Sequence, residues 1–370
     1  MDIKELEKIE LERTEKLSPQ KLKRTNSRKE VLKITYLMVW TKVCGGSKII
    51  LEYANRIQER GHKVTIVSYD IKPKWFNLDS NVDFIQVPEN ENLKDYIPDC
   101  DIIVATSWKN IYAGIESKKA PVVFFEQGGS HLFDNISNDK KQCVQNRISL
   151  VPYIHTVLSY AKDEIQKRYK RDSKVIGNAI DEKIFYPNEN RMLNRKEEIS
   201  ITIIGSEEFK FKGIEGILKA VKVLKQRYDN IKLNWITQVK PEKNKEQAIV
   251  NPQQIEIGNI LRETDIYICN SEYESFGLPT LEAMTCGATV VTTDTGGMRD
   301  FVKDNFNALV INKEDKKDMI KKVAMLIEDA ELRTKLSENG IRTAKKFNWN
   351  TIVNEMIEYY REIATYKVEE

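Results

Sequence analysis

Long apolar runs are missing from this 370-residue sequence, and none approaches the length of a membrane span. No membrane-crossing helix is therefore expected. Paired cysteine motifs are missing too. The five cysteines (Cys44, Cys100, Cys143, Cys269, Cys286) are odd in number and scattered, with no C-x-x-C. That favours reduced thiols in a cytosolic protein over a disulfide framework or a zinc site. An uncharged, apolar leader is absent, because the amino terminus is charged throughout, so no secretory signal is expected. Charge of one sign is not in excess either: the net charge of +3 is small, names no partner, and gives no reason to expect nucleic acid.

The chain is long enough for two domains with their own cores. Residues 1–30 stand apart as a charged extension. Acids and bases alternate from Lys4 to Lys16, with Ile3, Leu6, Ile9 and Leu17 as sparse apolar positions, which suits a solvated helix or a frayed arm. Lys21, Lys23, Arg24, Arg28 and Lys29 then form a basic stretch. Such an arm fits an anionic membrane surface or a plain solvated tether.

A first domain is expected over 31–185. The stretch from Leu32 to Val39 reads as a buried strand, the loop after it carries Gly45-Gly46, and a helix follows to Arg60, stopped by Gly61. With the strand Val64–Ser68 this makes a βαβ unit with a phosphate-type loop. Two glycines without G-x-G-x-x-G spacing are also compatible with a simple tight turn. Further strands are expected at Val82–Val87, Asp101–Ala105 and Val122–Phe125. The loop Glu126–His131 leaves the last of these at its carboxy end, where ligands bind in open α/β sheets. Gln127 there can donate to a ligand hydroxyl but cannot shuttle a proton. A capping or solvent-facing role is expected for His131.

A second domain is expected over 186–348, with strands at Ile201–Gly205, Lys232–Thr237 and Ile266–Cys269. After the last of these comes a polar turn, then Gly277, Pro279 and a helix-forming segment. Proline suits the first turn of a helix. Backbone N–H groups of Phe276, Gly277 and Leu278 would sit at a positive helix end that suits an anion such as phosphate. Glu274 and Glu282 bracket the turn. Carboxylates only accept hydrogen bonds, so beside a phosphate their natural partners are ligand hydroxyls. A strand–helix junction with two solvated acids is the plainer reading of the same letters. Further on, Gly296 and Gly297 end a strand and start a helix, offering N–H groups to a ligand or a simple cap. The tail 349–370 shows helical spacing in Trp349, Ile352, Val353, Met356, Tyr360 and Ile363.

The whole string S-x-x-E-S-F-G-L-P-x-L-E-A-M from Ser271, followed by Cys286-Gly287, a strand at Thr289–Thr292 and Thr295-Gly296-Gly297, closely resembles the nucleotide-binding half of the retaining glycosyltransferases of family 4. Gly45-Gly46-Ser47 and the later Arg60-Gly61-His62 are similar to the family's opening, and Gly177-Asn178 through Pro187 to its linker. The resemblance implies an α/β fold of the GT-B type. Its two Rossmann-like domains would face each other across a cleft, and the last helix (349–370) would cross back onto the first. It implies sugar transfer from a nucleotide-diphosphate sugar to a glycan or lipid-linked glycan hydroxyl in cell-envelope or polysaccharide synthesis, with retention and without a metal cofactor. In keeping with that, the one D-x-D, Asp99-Cys100-Asp101, precedes its strand rather than following it.

By the same resemblance Glu274 contacts the donor sugar and Glu282 the ribose. Lys212 opposes the diphosphate with Ser275–Leu278, and Gly45 and Gly46 approach it from the first domain. Two positions depart from the family's pattern. Gln127 stands where relatives carry a histidine, and Ser206 where they carry an arginine; Lys210 is a candidate replacement for that missing cation. These departures also leave room for a non-catalytic GT-B subunit, and a nucleotide-sugar epimerase is the other alternative. A cytoplasmic protein, peripheral at the inner face of a membrane, is the expected location.

Overall fold

The computed structural model describes residues 17–25, 28–132, 136–188, 198–242, 248–313, 315 and 317–369. The chain divides into two compact units, residues 1–178 with 349–370, and residues 179–348. The division thus falls at Asn178–Ala179, several residues before the expected 185–186 boundary. Residues 189–197, just after the Gly177–Pro187 linker, and the apolar positions before Leu17 lie outside the described residues.

The first unit is built on a parallel sheet of seven strands. In chain order these are β2 (Lys33–Met38), β3 (Lys63–Ser68), β4 (Asp83–Gln86), β5 (Ile102–Ala105), β6 (Val122–Glu126), β7 (Tyr153–Thr156) and β8 (Lys174–Val175), and in space they run 4-3-2-5-6-7-8. Helices α1 (Gly45–Gln58), α2 (Ile111–Ser117), α3 (Asn138–Leu150) and α4 (Ser159–Tyr169) connect them. Parallel strands need such crossovers, and helices on the faces explain why Ile102–Ala105 and Val122–Glu126 are buried along their whole length. Helix α1 starts at Gly45 itself, two residues before the expected start, so the glycine pair forms its first turn rather than a preceding loop. Gly61 follows it with φ +82°, a conformation that favours glycine.

The expected frayed arm or tether is corrected from residue 17 onward. Leu22–Arg24 forms β1, paired antiparallel with β15 (Tyr366–Val368) near the end of the chain. Gln20 accepts from Val122 N at 2.9 Å and donates to Ala120 O at 3.0 Å, tying this segment to the entry of β6. Arg28 pairs with Glu358 and Lys29 with Asp101. The basic stretch is folded onto the amino-terminal edge of the sheet.

The last helix, α10 (Trp349–Ile363), buries Trp349, Ile352, Val353, Met356, Ile357, Tyr360 and Ile363 within this unit. Trp349 packs edge-on to Tyr53 with ring centroids 5.1 Å apart, and the Arg56 guanidinium lies 4.7 Å over its ring.

The second unit has a six-stranded parallel sheet: β9 (Ile199–Ile204), β10 (Ile231–Thr237), β11 (Ala248–Val250), β12 (Ile266–Cys269), β13 (Thr289–Thr293) and β14 (Ala308–Ile311), in the spatial order 11-10-9-12-13-14. Helices α5 (Ile214–Arg227), α6 (Gln254–Arg262), α7 (Leu278–Thr285), α8 (Asp318–Glu328) and α9 (Ala330–Ala344) cover it. Isoleucines of β9 and β12, Trp235, Val291 and the apolar faces of α5 and α8 form one core cluster. The strand order reverses between β9 and β12. Loops leaving neighbouring strands in opposite directions open a crevice there, and this is where open α/β sheets bind ligands.

Candidate active site

The loops after β9 and β12 meet at that switch point. The β9 loop ends in a 3₁₀ turn, Lys210–Lys212, and Gly213 then caps α5 with φ +63°. A Cβ at Gly213 would collide with the Asn270 carbonyl oxygen and come within 2.6 Å of its Nδ2. Glycine is required because the β12 loop passes directly against it. Three further contacts fix the two loops together. Phe211 stacks on Tyr273 with centroids 4.6 Å apart, Glu272 N donates to Phe211 O at 2.7 Å, and Asn270 Nδ2 donates to Gly213 O at 3.3 Å.

This junction brings Lys212 and Glu274 together. Lys212 Nζ lies 2.6 Å from Glu274 Oε1, and Ser271 Oγ donates to the same oxygen at 2.7 Å. Both side chains of the pair are largely buried, so their attraction is screened less than at an open surface. Behind them, burial and then the Glu274 charge push the Cys269 thiol up, so it stays protonated and unreactive. Lys210 is exposed on the same turn.

Helix α7 begins just beyond. Gly277 caps it with φ +83°, and the Thr280 and Leu281 N–H groups both bond back to Gly277 O. Pro279 contributes no N–H. The N–H groups of Gly277 and Leu278 therefore stand outside the helical ladder at its positive end. The Phe276 side chain is buried against Phe301 and Phe347, so only its backbone is left for a ligand. Glu282 is buried inside α7. Burial raises the Tyr267 hydroxyl well above its ordinary value, and the Glu274 and Glu282 carboxylates near it add to the shift.

Gly296 and Gly297 are placed differently from expectation. No helix starts there; the chain makes a one-residue bridge between Glu274 and Gly296 and then a series of turns. Gly296 N–H is taken by Asp294 Oδ1 at 3.1 Å. The hydrogen bonds from Arg299 hold the Asp294 carboxyl below its usual range. A Cβ at Gly297 would collide with the Glu274 carbonyl and sit 2.9 Å from Ser275 O. These glycines support the Glu274 loop from behind. Gly297→Ala should accordingly displace Glu274, lowering any turnover by at least about tenfold and stability by roughly 1–3 kcal/mol. Wild-type turnover and melting temperature in that variant would contradict the packing argument.

Gly45, Gly46 and Gln127 belong to the first unit. The Gln127 carboxamide touches Gly46, its Nε2 3.6 Å from where a Cβ there would stand. The loop carrying Gln127 is held by Glu126, whose Oε1 accepts from Gly128 N at 2.7 Å and Gly129 N at 2.6 Å. His131 is buried, contrary to the expectation of a solvent-facing or capping residue. Its Nε2 stands 3.0 Å from Glu126 Oε2, close but without the alignment of a hydrogen bond. Burial alone would raise the Glu126 carboxyl, but His131 and the two amides outweigh it and hold it low.

Several partners carried no distinctive sequence signal. Asn270 and Tyr273 act through residues some sixty positions away, which spacing within one segment cannot reveal, and Ser271 acts on Glu274 three residues on. Ser206, the position without the family's arginine, is buried, and its Oγ accepts from Glu208 N at 3.3 Å.

Residues 187–343 match the family described as glycosyl transferases group 1. An uncharacterized glycosyltransferase of Methanocaldococcus jannaschii is 26% identical over 218 residues, covering 56% of this chain and 59% of that protein. The MMP alpha-(1->4)-mannosyltransferase of Mycolicibacterium hassiacum is 25% identical over 235 residues, covering 59% of this chain and 56% of its own length. The chain thus spans somewhat over half of these relatives. Among solved structures, sucrose-phosphate synthase from Thermosynechococcus elongatus superposes with a TM-score of 0.74 at 14% identity over 90% of this chain and 98% of its own. Anabaena HepE, solved with UDP and glucose, gives 0.72 at 16% identity over 90% of this chain and 100% of its own. The likeness is one of fold: α/β, of the GT-B type, with two Rossmann-like units.

Proposed function

We propose that this chain, whose residues 187–343 match the glycosyl transferases group 1 family, moves a sugar from a nucleotide-diphosphate sugar to an acceptor hydroxyl with retention of configuration. The observation that carries this reading is the Lys212–Glu274 pair beside the start of α7, at the switch point of the second sheet. A diphosphate placed on the Gly277 and Leu278 N–H groups would draw the Lys212 ammonium toward its own charge. Lys212 then offsets the negative charge that builds up as the bond from the anomeric carbon to the phosphate oxygen breaks. Glu274, released from that pair, lies where positive charge develops on the sugar. Glu282 accepts from the ribose hydroxyls. The acceptor oxygen forms the new bond to the anomeric carbon, and the departing phosphate oxygen takes the acceptor's proton, so no separate base is called for.

Gly45, Gly46 and Gln127 of the first unit complete the donor and acceptor contacts in this reading, with Lys210 as a second, more distant cation. The donor is read as a UDP-, GDP-, ADP- or dTDP-sugar and the acceptor as a glycan or lipid-linked glycan of envelope or polysaccharide synthesis. The location is read as cytoplasmic, at the inner face of a membrane. Metal independence belongs to the same reading, and turnover in excess EDTA is its check. Thermal unfolding with each nucleotide sugar tests the proposal most directly. One donor class at a hundredfold excess over its dissociation constant should stabilise the chain by about 2.7 kcal/mol. No stabilisation by any of them would overturn the reading; tight binding without turnover on any acceptor would point to a non-catalytic subunit.

A further inference from the structure

The loops after β2 and β3 carry four large apolar side chains in solvent: Trp40 is 55% exposed, Val43 54%, Ile71 57% and Trp75 37%. Single exposed apolar residues are ordinary, but four on two adjoining loops form a patch that calls for a partner. The loops are not slack. Trp75 Nε1 donates to Thr41 O at 2.7 Å, Thr41 Oγ1 to Ile71 O at 2.7 Å, and Thr41 N to Asp70 Oδ2 at 2.9 Å. The patch is therefore preformed, its side chains held outward by backbone fixed on both sides.

Charge selects the partner. Lys42, Lys72 and Lys74 stand exposed among these side chains and carry no ion pair among the described residues. The two acids on these loops are engaged by their own chain: Asp70 accepts from the Thr41 amide, and Asp79 from Asn81 N at 2.8 Å and Asn81 Nδ2 at 3.0 Å. Glu89 and Glu91 lie on the next loop, after β4, where Tyr96 donates to the Glu91 carboxylate. Tryptophans with lysines suit the water–lipid boundary, where the indole rests at headgroup depth and the ammonium meets anionic phosphate. A sugar platform would need hydrogen-bonding carboxylates or amides around a flat ring, whereas half of this patch is aliphatic and its excess charge is positive.

We propose that the Trp40, Val43, Ile71 and Trp75 loops dock the first unit onto an anionic bilayer surface. The basic stretch Lys21–Lys29 does not serve this purpose, since it is folded into β1 and ion pairs at the opposite, amino-terminal edge of the sheet. The docking loops leave the carboxy-terminal edge, the same edge as Gly45 and Gln127. Docking there sets that edge against the headgroups, which assigns a lipid-linked acceptor; this assignment of the acceptor, though not the docking, rests on the sugar-transfer reading.

Sedimentation of the full chain with phosphatidylcholine vesicles, with and without phosphatidylglycerol, tests it. Wild type should bind the anionic vesicles and bind pure phosphatidylcholine far less. Lys72→Glu with Lys74→Glu should weaken binding more than about tenfold, and Trp40→Ser with Ile71→Ser at least as much. Lys21→Glu with Lys23→Glu should leave it unchanged. All four loop positions are exposed, and circular dichroism confirms that each variant is folded. Donor hydrolysis in solution should be unaffected by the loop variants. Equal sedimentation of wild type and loop variants, or loss of binding only in the Lys21/Lys23 variant, overturns the docking. So does lost hydrolysis with binding intact, which would make the loops a substrate platform. Vesicle binding without turnover of any donor would count against sugar transfer alone.

Discussion

Glu274→Gln should lower turnover by roughly 10²–10³-fold while changing nucleotide affinity little, since on the proposed reading it removes a charge aimed at the reacting sugar and leaves the fold of its loop in place. That loop is held independently, by the stack of Tyr273 on Phe211, the bridge to Gly296 and the packing of Gly297. Glutamine retains the side-chain volume and can still accept from Ser271. Glu282→Ala should act the other way, weakening nucleotide binding by about 10–100-fold, the worth of hydrogen bonds to a charged acceptor, with a smaller effect on saturated turnover. Calorimetry with the nucleotide diphosphate and steady-state turnover measured on both variants separate the two roles. The reverse pattern, a binding defect in Glu274→Gln and a turnover defect in Glu282→Ala, would sink the assignment.

The second large effect is on stability and comes from His155. Its ring is fully buried between Phe125, 4.0 Å away by centroid, and Tyr360, and neither ring nitrogen has a hydrogen-bond partner among the described residues. Burial alone lowers its pKa from 6.5 to about 3. The folded chain therefore refuses a proton that the unfolded chain accepts below pH 6.5. Stability should be unaffected by this group above that pH and should fall as pH drops from 6.5 toward 3. The loss by pH 5 is about 2 kcal/mol, at 1.36 kcal/mol per unit. His155→Phe keeps a ring of similar size without buried nitrogens. It should match or exceed wild-type stability at pH 7.5 and lose this part of the acid dependence. Denaturant unfolding at pH 7.5 and pH 5 measures both; an unchanged pH slope in His155→Phe would contradict the assignment.

Much of the fold was legible in the letters. Strand Ile266–Cys269 matches its expected bounds, because it is an unbroken apolar run with a polar turn as a clear stop. The amphipathic tail was equally plain from Trp349 to Ile363. Strands β1 and β15 were not legible. Three residues each, Leu22-Lys23-Arg24 and Tyr366-Lys367-Val368, are too few to carry a period, and only their pairing across more than three hundred positions makes them strands. His131 illustrates the same limit. Nothing local indicates that a histidine five residues after a buried glutamate will turn back onto it, and the turn depends on Gly129, where a Cβ would meet the ring within 2.7 Å.

By itself the sequence determined two α/β halves, the anion-favouring start of a helix at Gly277, and two acids eight residues apart around it, because these follow from local period, proline and glycine chemistry, and spacing. The tertiary structure alone decided which cation meets Glu274. Lys210 and Lys212 stand two residues apart and spacing does not say which of them meets Glu274, but the 3₁₀ turn that Gly213 ends leaves Lys210 exposed and carries Lys212 to within 2.6 Å of the carboxylate. It also decided what Gly296 and Gly297 are for. Their service is to let one backbone pass against another, a contact that exists only once the strands β12 and β13 lie side by side.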